Sequence, residues 1–411
     1  MTDIFHNTFW NYNRFEDYKP EMLEDWINLG ITTPILPTFD MNRHSKEALI
    51  SILDDVQSKG IQCILQVSQM YLDGYARGAE SYRADVSRVM EEFGSHPAVY
   101  GFYVGEEPNC NNEECYFEGT KIIKELAPDK CVYSNFGSIE RTERMMLKGK
   151  STIEEWVSRY KEYSNADTIG FGVYSQLFSD HSGVYEFFHN MRTFVEAGKK
   201  AGVGVWGTML SSAHDLYRVP SEDDFRWQIN MCAVCGCKGV VWFRLYDKLV
   251  AFDYRSSPID EFGEKTQRYY DLARVQKRFN IHYGKLLGRL QHISTYGIGV
   301  SFGGYPYFVP GIDKTFSADD IVVSADCRSA MISFFKDEDG TDYVAVANSS
   351  MTEAHHISLS FSDKVEKAEL VYHNGDVKIT SFERGDLVGA GKSGYMCLAP
   401  GQMEILKITL K

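Results

Sequence analysis

Val99-Tyr100-Gly101-Phe102-Tyr103-Val104-Gly105-Glu106-Glu107-Pro108-Asn109 is the stretch on which the fold turns. Apart from Gly101, residues 99–104 are aromatic or β-branched, the composition of a strand buried on both faces. The run stops at a glycine, two carboxylates and a proline. Proline has no N–H to continue a ladder, so the strand ends there. A helical pattern through Ile122, Ile123 and Leu126 follows, then a second apolar run at residues 131–136. A strand, a helix and a strand in that order make a parallel crossover unit.

The same unit recurs on both sides. Upstream, runs at residues 5–12, 31–39 and 61–68 predict strands. Helical patterns at residues 20–29 and 46–59 separate them, and a third carries Tyr82, Val86, Val89, Met90 and Phe93 on one face. Leu49, Ile52, Leu53 and Val56 stand at the i, i+3, i+4, i+7 spacing of an apolar helix face, with Gly60 as the stop. Downstream, strands are predicted at residues 168–174, 203–210 and 238–246, alternating with helices at 153–163, 185–201 and 222–235. Eight strand-then-helix units predict an α/β fold, a (β/α)8 TIM barrel. A doubly wound open sheet is the competing architecture, but its phosphate turn needs glycines after the first strand. Here that strand runs into Trp10-Asn11-Tyr12-Asn13.

Beyond a helical stretch at 264–287 the texture changes. Short runs at 330–335, 343–347, 356–361, 368–372 and 403–410 are divided by turn signals at Asp339-Gly340, Asn374-Gly375 and Pro400-Gly401. They predict a C-terminal antiparallel β-sandwich. The expected division is a barrel over residues 1–290 and a β domain over 291–411, with Gly303-Gly304-Tyr305-Pro306 as a joint.

Composition narrows the class. The 411 residues carry a formal charge of −14. That argues against binding a nucleic-acid backbone or an anionic membrane surface. No run of ~18 apolar residues predicts a membrane span. The first residues lack a basic and apolar leader pattern, and nine scattered cysteines suit reduced thiols, so a cytoplasmic protein is expected. Cys232, Cys235 and Cys237 stand near one another, but no second Cys or His pair lies at zinc spacing, and they read as buried thiols. Cys110 and Cys115 carry no stronger signal. No metal or cofactor is implied. His355-His356 reads as a surface strand edge, and the acidic run 337–340 as a hairpin tip.

In a barrel, chemistry collects at the C-terminal strand ends. Those ends hold Trp10, Asp40, Glu106, Glu107, Asn135, Tyr174, Trp206, Trp242 and Arg244. Such a polar, aromatic, carboxylate-bearing mouth suits a ligand with many hydroxyls and apolar ring faces. Adjacent carboxylates raise at least one pKa, which suits a general acid. Trp10, Trp206 and Trp242 are candidate platforms for sugar rings. Tyr174 is a candidate for polarising a carbonyl or holding a carboxylate. Arg244 is costly to bury alone and calls for an acidic partner.

The run from His96 to Asn109 resembles the strand-four signature of barrel glycoside hydrolases. In clan A enzymes that strand ends in Asn-Glu, often before Pro, and the Glu is the acid/base. In substrate-assisted β-N-acetylhexosaminidases an acidic pair stands there. Either resemblance implies Glu107 as general acid/base and Glu106 as the orienting carboxylate. Residues 220–246 and the trailing β domain are similar to parts of such enzymes. The resemblance implies a hydrolase for a small oligosaccharide or glycoside. One departure stands out: clan A retaining enzymes carry a Glu at the end of strand seven, and residues 203–212 hold no carboxylate before Asp215. The substrate's acetamido group could be the nucleophile, or a loop acid (Asp40, Asp180 or Asp215) the base. The alternative is a non-hydrolytic carbohydrate-binding barrel.

Overall fold

The computed structural model describes residues 4–109, 111–177, 180–247, 253–310, 321–373, 377–381 and 393–411. Cys110 and the Asn374-Gly375 turn lie outside the described residues, as does the Asp180 side chain.

Seven strands form one parallel sheet: β1 (His6–Phe9), β2 (Cys63–Gln66), β3 (Val99–Glu106), β4 (Cys131–Asn135), β5 (Thr168–Gly172), β6 (Gly204–Leu210) and β7 (Gly239–Phe243). Their order is β1-β7-β6-β5-β4-β3-β2, and every pairing is parallel. The sheet curls until its two ends share one interior. Trp10, Ile64, Tyr103, Tyr133, Trp206 and Val241 form a single buried cluster on the concave face. Their neighbours Phe102, Val104, Val205, Val240 and Trp242 point the other way, into the core shared with the helices. This is the period-two alternation of a strand.

The expected strand at residues 31–39 forms no ladder. It makes isolated parallel bridges instead, Ile35 with Ile64, Phe39 with Val67 and Thr38 with Arg14. On its other side the Thr32 and Thr33 N–H groups donate to the Asn7 carbonyl at 2.9 and 3.1 Å. The reason is in the sequence: Pro34 and Pro37 remove two N–H donors from one short segment. The segment therefore lies between β1 and β2 with bridges to both, and continuous pairing is lost.

The helices follow their sequence signals closely. Helix Pro20–Leu29 has proline in its first turn and buries Leu23, Trp26 and Leu29. Gly30 ends it at φ +98°, and a Cβ there would sit 2.7 Å from the Gln276 side chain. Helix Lys46–Ser58 is capped by Ser45, whose Oγ accepts the Ala48 N–H at 3.3 Å. It buries Leu49, Ile52, Leu53 and Val56, each worth roughly 1.5–3 kcal/mol relative to exposure. Helix Glu222–Val234 is buried nearly all round, because the sheet lies on one side of it and the C-terminal strands on the other. No helix among the described residues is long and apolar enough to cross a membrane.

From Gln291 onward the strands are antiparallel: β8 (Gln291–Ile298), β9 (Val322–Asp326), β10 (Ala330–Lys336), β11 (Asp342–Asn348), β12 (His355–Phe361), β13 (Val365–His373), β14 (Val377–Ser381), β15 (Ser393–Leu398) and β16 (Met403–Leu410). They build one sheet ordered β14-β13-β16-β11-β10-β8 and another ordered β15-β12-β9. The larger sheet is buried on both faces. Ile332, Phe334, Val344, Val346, Leu406 and Ile408 pack with Ile357 and Leu359 of the smaller sheet. Met331, Phe335, Ala345 and Ile405 point the opposite way and join the large core of the helices. Hydrogen bonds lock that junction. Trp227 Nε1 donates to the Ser349 carbonyl at 2.8 Å, Asn230 Nδ2 to Gly401 at 2.9 Å and Arg226 Nε to Pro400 at 2.7 Å. β8, β9, β14 and β15 lie outside the runs that the sequence singled out. His355 corrects the surface expectation: it is 7% exposed, with Nδ1 3.2 Å from the Ser329 carbonyl. His356, next along the alternating strand, is the exposed member.

Candidate active site

Glu106 is the last residue of β3 and Glu107 the first beyond it. They diverge at once. Glu107 takes φ +50°, a left-handed conformation that a non-glycine residue holds only at a cost. Its N–H donates to the Asn135 carbonyl at 2.6 Å. Its carboxylate forms an ion pair with Arg141 and lies over Gly137, where an added Cβ would come within 3.4 Å of Oε1. The backbone twist thus turns Glu107 toward the β4 side of the mouth.

Glu106 faces a cavity of about 320 Å³ at the C-terminal strand ends. Trp10, Tyr12, Tyr71 and Tyr103 supply its aromatic walls, and Gln66 and Asp73 share its polar lining. Tyr103 meets Trp10 edge-on at 5.0 Å and Tyr71 at 5.9 Å, which fixes the walls against one another. Behind Glu106, Tyr116 donates to its backbone carbonyl at 3.0 Å. Partial burial raises the Glu106 pKa, the Glu107 charge adds to the rise, and Arg141 opposes it. No side chain among the described residues hydrogen bonds or pairs with the Glu106 carboxyl. An unpaired carboxyl that reaches solvent through the cavity and is raised in pKa by desolvation and by the Glu107 charge has the character of a general acid.

A second group lies on the β5–β7 side of the mouth. Arg244 is 3% exposed, donates from Nε to the Tyr246 carbonyl at 2.7 Å and lies over the rings of Tyr12 and Tyr254 at 5.0 and 4.6 Å. The acidic partner expected for it is replaced by these aromatic faces. No carboxylate lies within ion-pair distance of Arg244 among the described residues. Tyr174 stands here too, edge-on to Tyr217 at 5.1 Å and stacked with Phe243 at 5.8 Å. Burial raises its pKa, with Tyr12 and Tyr217 the next contributors. Asp247, three residues past Arg244, accepts hydrogen bonds from the Ser257 hydroxyl and N–H, and burial raises its pKa against them.

Other sequence candidates have structural duties. Asp40 accepts from the Asn42 N–H at 2.8 Å and from Gln69 Nε2 at 3.1 Å, and so holds a turn. The turn's N–H bond is the main cause of its lowered pKa. Asn135 is 5% exposed and accepts from the Thr208 hydroxyl at 3.4 Å. Trp206 is no platform, because it is stacked between His6 at 4.8 Å and Tyr133 at 5.1 Å inside the sheet. Trp242 points outward and donates from Nε1 to Gln276 at 2.9 Å. Of the three tryptophans only Trp10 lines the cavity. Sequence reading missed Tyr12, Gln66, Tyr71, Asp73, Tyr103 and Tyr254. Tyr12 and Tyr103 carried a readable signal, as aromatics at or next to strand ends. Asp73 sits in the short 3-10 helix Leu72–Arg77 and Tyr254 on an irregular loop, and nothing local marks them.

A wider groove of about 870 Å³ runs between Phe15–Asp17 and helix Lys46–Ser58. It is open to solvent, and its acids Glu16 and Asp54 pair with His44 and His96 at 3.2 Å. Among the described residues no three His, Cys, Asp or Glu side chains converge as a metal-binding set. Cys232 and Cys235 are fully buried, and burial pushes both thiols up in pKa.

No family model matches the sequence, and no curated protein matches it either. Solved structures do. A family 39 glycoside hydrolase from the gut symbiont Bacteroides cellulosilyticus superposes with a TM-score of 0.55 at 10% identity, over 98% of this chain and 81% of that one. A glucosidase from Croceicoccus marinus gives 0.51 at 11%, over 100% and 96%. A β-galactosidase from Marinomonas ef1 gives 0.51 at 10%, over 66% of this chain and 59% of the relative's length. This chain therefore shares its fold with glycoside hydrolases.

Proposed function

We propose that the chain is a glycoside hydrolase in which Glu106 is the general acid. The observation that carries this is the Glu106 carboxyl itself, unpaired, raised in pKa by burial and facing an aromatic-walled cavity at the strand ends. The resemblance to clan A favoured Glu107. Against it stands the ion pair of Glu107 with Arg141, which holds that carboxylate toward Gly137. Glu107 then orients Arg141 and adds charge beside Glu106. Trp10, Tyr12 and Tyr103 would stack on the sugar, and Tyr174 and Arg244 would shape the opposite wall. A cavity of about 320 Å³ supports a small glycoside as substrate.

The proposed frame is an eight-stave barrel over residues 1–290, with residues 31–39 as the stave between β1 and β2, and a β domain over 291–411. The double bridging of residues 31–39 supports that closure. The test is turnover of a panel of aryl glycosides and small oligosaccharides by the wild type and by Glu106→Gln. Hydrolysis by the wild type that disappears in the variant is expected. A second reading is carbohydrate binding without hydrolysis, favoured by the lack of any carboxylate on β6. Sugar binding with no turnover across the panel selects it.

A further inference from the structure

The cavity in front of Glu106 is unbalanced in charge and in hydrogen bonding. Glu106 and Asp73 both line it, and among the described residues no Lys, Arg or His does. Neither carboxylate is ion-paired among the described residues, whereas Glu107 next door has Arg141. Asp73 has one hydrogen bond, from Asn112 Nδ2 at 3.2 Å. Gln66 adds a third acceptor. Its Nε2 donates to the Tyr71 hydroxyl at 2.9 Å, which fixes the amide, and its Oε1 is buried without a partner among the described residues. A buried acceptor left unsatisfied costs free energy that a ligand donor can restore. Asn11 cannot balance the set, because Nδ2 donates to the Ile35 carbonyl and Oδ1 accepts from Asn13. The walls are electron-rich ring faces, Trp10, Tyr12, Tyr71 and Tyr103. The unpaired Asp73 carboxylate, a free carbonyl oxygen and aromatic faces, beside the Glu106 carboxyl, together attract a cation with several N–H donors. The overall charge of −14 steers such a ligand in.

We propose that this cavity recognises a protonated amino group, so that the sugar unit held beside Glu106 is an amino sugar with a free ammonium. The proposal rests on the glycosidase reading for the word sugar. Within the site, Asp73 and Gln66 Oε1 receive the ammonium protons while Glu106 faces the glycosidic oxygen.

The test is calorimetric titration at neutral pH with glucosamine, galactosamine and mannosamine, each beside its N-acetyl form and its parent hexose. At least one free amine is expected to bind about tenfold tighter than both neutral counterparts, equivalent to about 1.4 kcal/mol. Asp73→Asn should remove most of that preference. Asp73 is exposed, so the variant should keep its melting temperature, and a second variant, Gln66→Leu, should weaken amine binding as well. Equal or tighter binding of the neutral sugars overturns the amino-group assignment and leaves the glycosidase reading standing. Failure of every sugar to bind overturns both. Amine preference without turnover of any aryl glycoside supports the ammonium site and overturns hydrolysis.

Discussion

Replacing Glu106 with Gln separates the two adjacent carboxylates more sharply than any other change. The variant keeps the shape of the side chain and removes its proton. General acid catalysis contributes about 10²–10⁴-fold, which is about 3–5 kcal/mol of barrier. The loss should therefore be of that size for glycosides with poor leaving groups and nearly absent for activated aryl glycosides, which leave without a proton. Glu107→Gln removes a half-exposed ion pair with Arg141, worth about 0–1 kcal/mol, and should change rates by a few-fold at most. The pH profile gives a second readout. Because burial raises the Glu106 pKa, the protonated acid survives to higher pH than an ordinary Glu, and Glu106→Gln should erase that alkaline limb. Stability should move the opposite way to activity. A carboxyl whose folded pKa lies above its unfolded value contributes fully below the unfolded pKa and loses that contribution as pH rises through the folded one. Glu106→Gln should thus melt higher than the wild type at pH 7, with the gain gone below about pH 4. Leaving-group kinetics of both variants, with melting curves at the two pH values, make the measurement. A hundredfold loss in Glu107→Gln with Glu106→Gln unaffected would refute the assignment.

Three further outcomes follow from the packing. Gly401 stands at φ +65°, and a Cβ there would lie 2.4 Å from the Trp227 Cα, so Gly401→Ala should cost about 2–4 kcal/mol in denaturant unfolding, and a loss under 0.5 kcal/mol would contradict the junction. Arg244→Lys keeps the charge but loses the planar contact with Tyr12 and Tyr254; it should destabilise by roughly 1–2 kcal/mol and raise KM more than it lowers kcat, and an unchanged KM would contradict the wall role. Burial holds His6 at a pKa of about 3, below its unfolded value, so its contribution is present above about pH 6.5 and fades as pH falls toward the folded pKa. At pH 5 that amounts to about 2 kcal/mol, and a His6→Gln variant should show a correspondingly flatter stability profile between pH 7 and 5, whereas parallel profiles would show that His6 is not buried neutral.

The alternation of strands and helices was legible because it is written in local patterns. Leu49 to Val56 shows a helix face, and residues 99–104 show a buried strand, without reference to anything distant. Pro34 and Pro37 were equally visible, yet residues 31–39 read as an ordinary strand because their apolar content outweighed two missing donors. The short strands β9, β14 and β15 escaped because edge strands carry mixed polarity, and pairing with neighbours defines them.

The sequence by itself determined the class, an acidic α/β chain with a β module behind it, and it marked the end of β3 as the place where charge is concentrated. Apolar periodicity and a run of two carboxylates are local properties, and local properties survive reading along one dimension. Only the tertiary structure decided which carboxylate faces the cavity. Residues one apart on a strand point to opposite sides, and the left-handed twist at Glu107 together with Arg141, more than thirty positions away, turns that residue toward Gly137 and leaves Glu106 lining the cavity. The same parity put Trp206 on the concave face of the sheet and Trp242 among the helices, and of the three only Trp10 lines the cavity.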